Sequence, residues 1–330
     1  MLKSQHDLRL LSTSYWQARV LHVANALGLF SFLEKPRTLE ELAHLLGVSL
    51  RGVEVLLPAC ASFGLVKKKR NRFKNTSLAS RYLVPGSPEY QGDMIRMYSE
   101  DYGNWENLEE IVRIGKNTHQ KPHFEPGSPD WDQFMDAMYN TGVVTAKFLV
   151  KAIPFKNQPS HLLDVGGGPG AYSIAFCKRY PKLQAVIFDL PQVESKALFY
   201  VKKAGLEKRI VFCFGDYTKD AFPDGKDLIL FSNILHANSL EDFVQLLKKA
   251  WKALLPKGMV LVNDFFLNKE KTGPLFPSLF GIHMLVSTSQ GRTYSVQEIR
   301  DALRKAKFSG VKILGIKGTP YQTVIAIKAG

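Results

Sequence analysis

Leu162-Leu163-Asp164-Val165-Gly166-Gly167-Gly168-Pro169-Gly170-Ala171 sets an apolar run ending beyond an aspartate directly against a glycine-rich turn. Such a run, breaking at once into glycine, reads as a buried strand that turns tightly into a helix starting near Tyr172. Gly166, Gly168 and Ala171 satisfy the spacing G-x-G-x-x-G/A, in which residues lacking side chains let a ligand lie against the backbone at a helix N-terminus. Asp189 closes the next apolar run, QAVIFDL, where a carboxylate can accept from both hydroxyls of a ribose. A nucleoside-containing cofactor follows, and both a nicotinamide dinucleotide and S-adenosylmethionine satisfy the pattern.

Downstream, the runs IVFCFGD, DLILFSNIL and MVLVNDFFL alternate with helical patterns. Apolar strands separated by helices predict an α/β fold with a parallel sheet covered on both faces. Residues 311–316 and 323–328 are strands joined across Gly318 and Pro320, so the sheet is expected to end in an antiparallel hairpin. Upstream, residues 16–33 carry apolar positions at helical spacing, and Pro36 predicts a stop near Glu34. Thr38 with Glu41 forms a capping box opening a short helix that Gly47 ends, and Ser49 caps a second helix reaching Phe63. Strands at 65–69 and 72–74, around the turn Arg70-Asn71, complete a winged helix–turn–helix pattern.

A winged helix invites a DNA-binding reading, but the second helix, LRGVEVLLPACASF, offers a base edge only Arg51 and Glu54 and contains Pro58. Its wide apolar surface suits burial against another subunit better than a groove, so dimerisation is favoured over a DNA-binding regulator. Residues 91–155 read as a helical linker with a loop at 116–129, where Pro122, Pro126, Gly127 and Pro129 block regular structure. Trp131, Phe134, Met135, Met138 and Tyr139 then share a helical face, as core or as the wall of a pocket for a flat organic ligand. Three domains are expected: 1–90 for dimerisation, 91–155 contributing to the acceptor pocket, and 156–330 binding the cofactor. The chain of 330 residues, 45% hydrophobic and 22% charged, is composed like a globular protein. Its net charge of +14 is dispersed apart from the run at 67–72, a pattern typical of a solvated surface. Cys60, Cys177 and Cys213 lack metal-binding or redox spacing. No apolar stretch is long enough to span a bilayer, and Lys3, Asp7, Arg9 and Arg19 interrupt any signal-peptide core, so a cytoplasmic protein is expected.

The ordered set LLDVGGGPG, FDLPQV, GDY, SNILH and KALLPKG resembles the class I methyltransferases that act on small molecules. With the N-terminal region included, the whole chain resembles the O-methyltransferases typified by the plant caffeate enzymes and acetylserotonin methyltransferase. The resemblance implies a Rossmann-like sheet, a winged-helix dimerisation domain, a homodimer, and S-adenosyl-L-methionine as cofactor. It implies that Asp164, Gly166 and Gly168 meet the amino-acid end of the cofactor, that Asp189 meets the ribose, and that Leu190 is a further cofactor-binding residue. Asp216 would meet the adenine amino group, Tyr217 its ring, and Ser232 and Asn233 the methionine side.

His236 matches the family's catalytic histidine, with Asp264 left to orient it. Ala237 and Asn238 depart from the Asp and Trp usual there, and Ser289-Gln290-Gly291-Arg292-Thr293 lacks the second family carboxylate. The helix at 276–286 would line the acceptor pocket with Phe280, His283 and Met284. The resemblance thus implies methyl transfer to a hydroxyl of a small aromatic or polyketide-like molecule, assisted by histidine and without a metal. His283 is placed as in the carbon-methylating branch, which keeps a large planar ring such as a tetrapyrrole as an alternative acceptor, beside nitrogen or sulfur.

Overall fold

The computed structural model describes residues 2–118, 128 and 130–330. Of the loop expected at 116–129, Pro122, Pro126, Gly127 and Pro129 lie outside the described residues. Two compact units divide the chain, Met1–Tyr102 and Gly103–Gly330. The stretch at 91–155 is therefore split between them.

The first unit contains α1 (Gln5–Ser12), α2 (Tyr15–Ala26), α3 (Leu29–Phe32), α4 (Leu39–Leu46), α5 (Leu50–Ser62), β1 (Val66–Lys69), β2 (Arg72–Asn75), α6 (Ser77–Tyr82) and α7 (Gly92–Asp101). The helix expected unbroken over 16–33 is two helices. Gly28 takes φ +67° after α2, a left-handed conformation that ends a helix and that glycine adopts at little cost. The capping box forms as expected: Glu41 N–H donates to Thr38 Oγ1 at 3.3 Å, and Thr38 N–H donates to Glu41 Oε2 at 3.0 Å. Leu29, Phe30, Leu42, Leu57, Cys60 and Phe73 pack as one core, with β1 and β2 an antiparallel pair beside it.

The second unit begins with α8 (Leu108–Ile114) and α9 (Trp131–Ala152). It continues through β3 (His161–Val165), α10 (Ala171–Arg179), β4 (Gln184–Asp189), α11 (Glu194–Lys203), β5 (Ile210–Phe214), β6 (Lys226–Ser232), α12 (Leu240–Ala253) and β7 (Leu254–Asp264). After these come β8 (Phe266–Leu267), α13 (Leu275–Ser287), β9 (Tyr294–Ser295), α14 (Val296–Lys305), β10 (Phe308–Gly315) and β11 (Gln322–Lys328). The main sheet has seven strands in the order β10-β11-β7-β6-β3-β4-β5. β7, β6, β3, β4 and β5 pair in parallel, whereas β11 is antiparallel to both β7 and β10, which is the expected closing hairpin.

Alternation along the strands sends Leu162, Leu228 and Leu230 into one core and Leu163, Val165, Ile229 and Phe231 into the other. Helices can therefore cover both faces. The chain runs β3, β4, β5 outward on one side and returns to place β6 on the other side of β3. The carboxyl ends of β3 and β6 thus flank the switch point where open α/β sheets take their ligands.

Candidate active site

The glycine turn leaves β3 at that switch point. Gly166, Gly168 and Gly170 all have positive φ, at +61°, +53° and +81°. Around them the space differs. A Cβ on Gly166 would lie 2.1 Å from Ile234 Cδ1, and one on Gly170 would lie 2.7 Å from Ile187 Cδ1, so a side chain there would displace an isoleucine end as well as strain the left-handed backbone. Gly168 has no such neighbour within 4 Å and borders open space. Its N–H donates to Asp189 Oδ2 at 2.7 Å, and Leu190 N–H donates to Asp189 Oδ1 at 2.7 Å. Asp164 is buried, accepting from Ser173 N–H at 3.2 Å and Ser173 O–H at 2.7 Å. Burial pushes its carboxyl up to about 7, and burial also raises that of Asp189.

At the end of β6, Asn233 takes φ +59° and donates its backbone N–H to Asn263 O at 3.1 Å. Its side-chain Oδ1 is buried without a hydrogen-bond partner. Ser232 is buried beside it and accepts from Asn263 Nδ2 at 3.1 Å. Asn263 also accepts from Thr323 Oγ1 at 2.8 Å and approaches Tyr172 Oη at 3.4 Å, so one amide ties three elements together beneath the site. The Tyr217 ring comes within 3.6 Å of a Cβ built on Gly166, and its hydroxyl accepts from Asn238 Nδ2 at 3.4 Å. Asp216 is placed differently: it accepts from Thr218 N–H at 2.9 Å and Thr218 O–H at 2.6 Å, and pairs with Lys219 at 2.9 Å. These partners hold its carboxyl down at about 2.

His236 stands on the short turn Leu235–Ala237 after β6. Its Nδ1 lies 2.8 Å from Asp264 Oδ1, its backbone N–H donates to Asp264 Oδ2 at 3.3 Å, and Phe265 N–H donates to Asp264 Oδ1 at 2.8 Å. The Asp264 side chain is 2% exposed and that of His236 14%. A carboxylate so placed is an acceptor, so Nδ1 faces it as the donor and Nε2 is the ring nitrogen turned away from it. Phe280 of α13 meets the His236 ring edge-on at 4.9 Å, and the His283 ring is 5.6 Å beyond Phe280. His283 stacks on Trp105 at 6.2 Å with planes 7° apart, and its Nδ1 is 3.3 Å from Ser287 Oγ. Met284 is buried on the same helix.

The face on α9 divides. Met135 is buried in the core and Tyr139 stacks on Tyr200 of α11 at 3.5 Å, while Met138 is half-buried. Trp131 lies 5.9 Å from Phe134 and donates its Nε1–H to Gln192 O at 3.3 Å. Tyr139 therefore packs helix against helix on the Tyr200 ring, and Trp131 and Phe134 lie partly buried against the same core. Ser173, Asn263 and Tyr172 belong to the site although no motif singles them out. For Asn263 a signal exists in sequence, a polar residue inside the apolar run MVLVND.

Two buried carboxylates, an unpaired buried amide oxygen and open space over a glycine suit a ligand bearing a cation and several donors. A family profile described as the O-methyltransferase domain matches residues 105–309, and one described as the O-methyltransferase dimerisation domain matches residues 10–85. The chain belongs to the O-methyltransferase family. This O-methyltransferase is 32% identical over 323 residues to 3-hydroxy-5-methyl-1-naphthoate 3-O-methyltransferase of Streptomyces sahachiroi, covering 96% of this chain and 93% of the relative. It is also 32% identical over 339 residues to acetylserotonin O-methyltransferase of Bos taurus, covering 97% of each. The crystal structure of human N-acetylserotonin methyltransferase in complex with SAM superposes with a TM-score of 0.87 at 26% identity, over 99% of both chains. S-adenosylmethionine is the cofactor of this enzyme.

Proposed function

We propose that this O-methyltransferase works as a homodimer, moving a methyl group onto the hydroxyl of a small aromatic or polyketide-like molecule, with His236 as base and no metal. The observation that carries this reading is the 2.8 Å contact between His236 Nδ1 and Asp264, which leaves Nε2 basic beside the Phe280 ring. Relatives named for a hydroxynaphthoate and for acetylserotonin support an aromatic acceptor. The match to a dimerisation domain supports the homodimer.

S-adenosylmethionine, when bound, supplies a methyl group already activated on a sulfonium, so departure of the leaving group needs no Lewis acid. Asp164, Gly166 and Gly168 would hold its amino-acid end, Asp189 with Leu190 its ribose, and Ser232 and Asn233 the methionine side, where Asn233 Oδ1 still needs a donor. Tyr217, beside Gly166, would flank the adenine. Asp216 would reach the adenine amino group while keeping its bonds to Thr218 and Lys219. A phenol with a pKa near ~10 is largely protonated at neutral pH, so its proton must leave as the new bond forms. His236 Nε2 takes that proton, and buried Asp264 stabilises the imidazolium without itself becoming protonated. Phe280, Met284, His283, Trp131, Phe134 and the half-buried Met138 are the residues that would flank the acceptor.

His236→Ala should lower turnover about 10²–10⁴-fold with little change in cofactor affinity, as expected for a group acting in the transition state. Turnover is read by mass gain of one methyl across hydroxynaphthoates and simple phenols. A loss below about tenfold would remove the base role.

A further inference from the structure

Asp264, at the end of β7, holds His236, and a second group of contacts holds the turn that carries it. Residues 288–294, which join α13 to β9, wrap the turn that carries the histidine. Arg292 N–H donates to His236 O at 2.9 Å, and Tyr294 O–H donates to Asn238 O at 2.7 Å. Asn238 passes the restraint back to the turn by donating its Nδ2–H to Ile234 O at 2.7 Å. Next to the first of these bonds sits Gly291, which is buried. A Cβ there would lie 2.7 Å from His236 O and 2.3 Å from Thr288 Oγ1. Its φ lies outside the left-handed region, so the need for glycine is room rather than backbone conformation. Thr288 completes the wrap: its Oγ1 accepts from Gly291 N–H at 2.8 Å and donates to Met284 O at 2.6 Å.

We propose that residues 288–294 form a collar that fixes the imidazole of His236, with Gly291 and Tyr294 as positioning residues for the methyl transfer. The collar sets where the His236 carbonyl lies, Asp264 sets the ring's rotation, and together they fix Nε2. This role rests on His236 being the base. Proton transfer is steep in distance, and a displacement of about 1 Å can cost about 10²-fold in rate. The absent side chain at 291 is thus part of the site, since any larger residue meets both the threonine hydroxyl and the histidine carbonyl.

The test uses the full chain. Two readouts are taken: steady-state kinetics, and the low-field proton resonance of the Nδ1–H bonded to Asp264, identified by its loss in Asp264→Asn. Gly291→Ala should lower kcat about 10- to 100-fold, leave the KM for S-adenosylmethionine within about twofold, and shift or broaden that resonance. Adding Thr288→Ala to Gly291→Ala removes the clash with the threonine but not with His236 O, so activity should stay low. Tyr294→Phe, which deletes one hydroxyl and keeps the ring, should lower kcat several-fold and move the same resonance. It decides the question if Gly291→Ala does not fold. A wild-type kcat and resonance in Gly291→Ala, or in Tyr294→Phe where that variant must decide, would overturn the collar. So would rescue of Gly291→Ala by Thr288→Ala. If His236→Ala keeps most of its activity while the collar variants still move the resonance, the base assignment fails and the collar stands as a conformational restraint on His236.

Discussion

Burying Asp164 makes the fold itself sensitive to pH. Its carboxyl titrates at about 7 in the folded protein, well above the ordinary 3.8, because burial disfavours the charge more than Ser173 supports it. The folded chain therefore binds a proton that the unfolded chain has released, and the stability this gives is present at low pH and lost as pH rises from about 4 through 7. An ammonium group brought against Asp164 would favour the ionised form. The thermal shift given by saturating S-adenosylmethionine should accordingly be larger at pH 8 than at pH 6. Asp164→Asn should raise the melting temperature at pH 8 measured without cofactor, and should largely abolish the cofactor shift. Equal shifts at both pH values in the natural sequence would count against any role of Asp164 toward the ammonium. At this scale the sequence exposes Asp164, just before a glycine turn, and Asp189, closing an apolar run, because both signals are local. It hides Ser173 as the partner of Asp164, since a serine inside a helix carries no distinguishing pattern.

Among the elements, α13 presents Phe280, His283 and Met284 within 13 residues. His283 is bonded to Ser287 and stacked on Trp105, so its ring plane is fixed, and Phe280 stands between it and His236. A residue so placed should bind rather than activate. His283→Ala is expected to raise the acceptor KM several-fold with kcat changed less than about tenfold, whereas His236→Ala acts on kcat. A larger loss of kcat from His283→Ala than from His236→Ala would move the base to α13 and revive transfer to carbon. Elements were legible in sequence where their signals are local: the capping box at Thr38 and Glu41 and the closing hairpin both form as read. One reading fails for an identifiable reason. Helical periodicity continues across Gly28, so the break shows only in the backbone angle there. The stripe on α9 looks the same in sequence whether it faces a ligand or another helix, and its partner Tyr200 lies far along the chain.

At the scale of the whole molecule, the first unit carries apolar surface that its own chain leaves uncovered. Within one chain, Trp16 is 58% and Val55 66% exposed, on α2 and α5, although both helices also supply residues to a packed core. Isolated exposed apolar residues are ordinary, but two helices of the same unit carrying them inside a matched dimerisation domain point to a shared face. A two-fold interface repeats each contact, so a single substitution acts twice. Val55→Lys should therefore turn a dimer into monomers at micromolar concentration, read by sedimentation velocity, while the cofactor-induced thermal shift should persist because the residues proposed to hold the cofactor lie in the second unit. On a surface facing water the same change should cost within about 0.5 kcal/mol and leave assembly untouched. Persistence of the dimer in both Val55→Lys and Trp16→Lys would place the interface on another part of the chain, and the wide apolar face of α5 would then need a different partner.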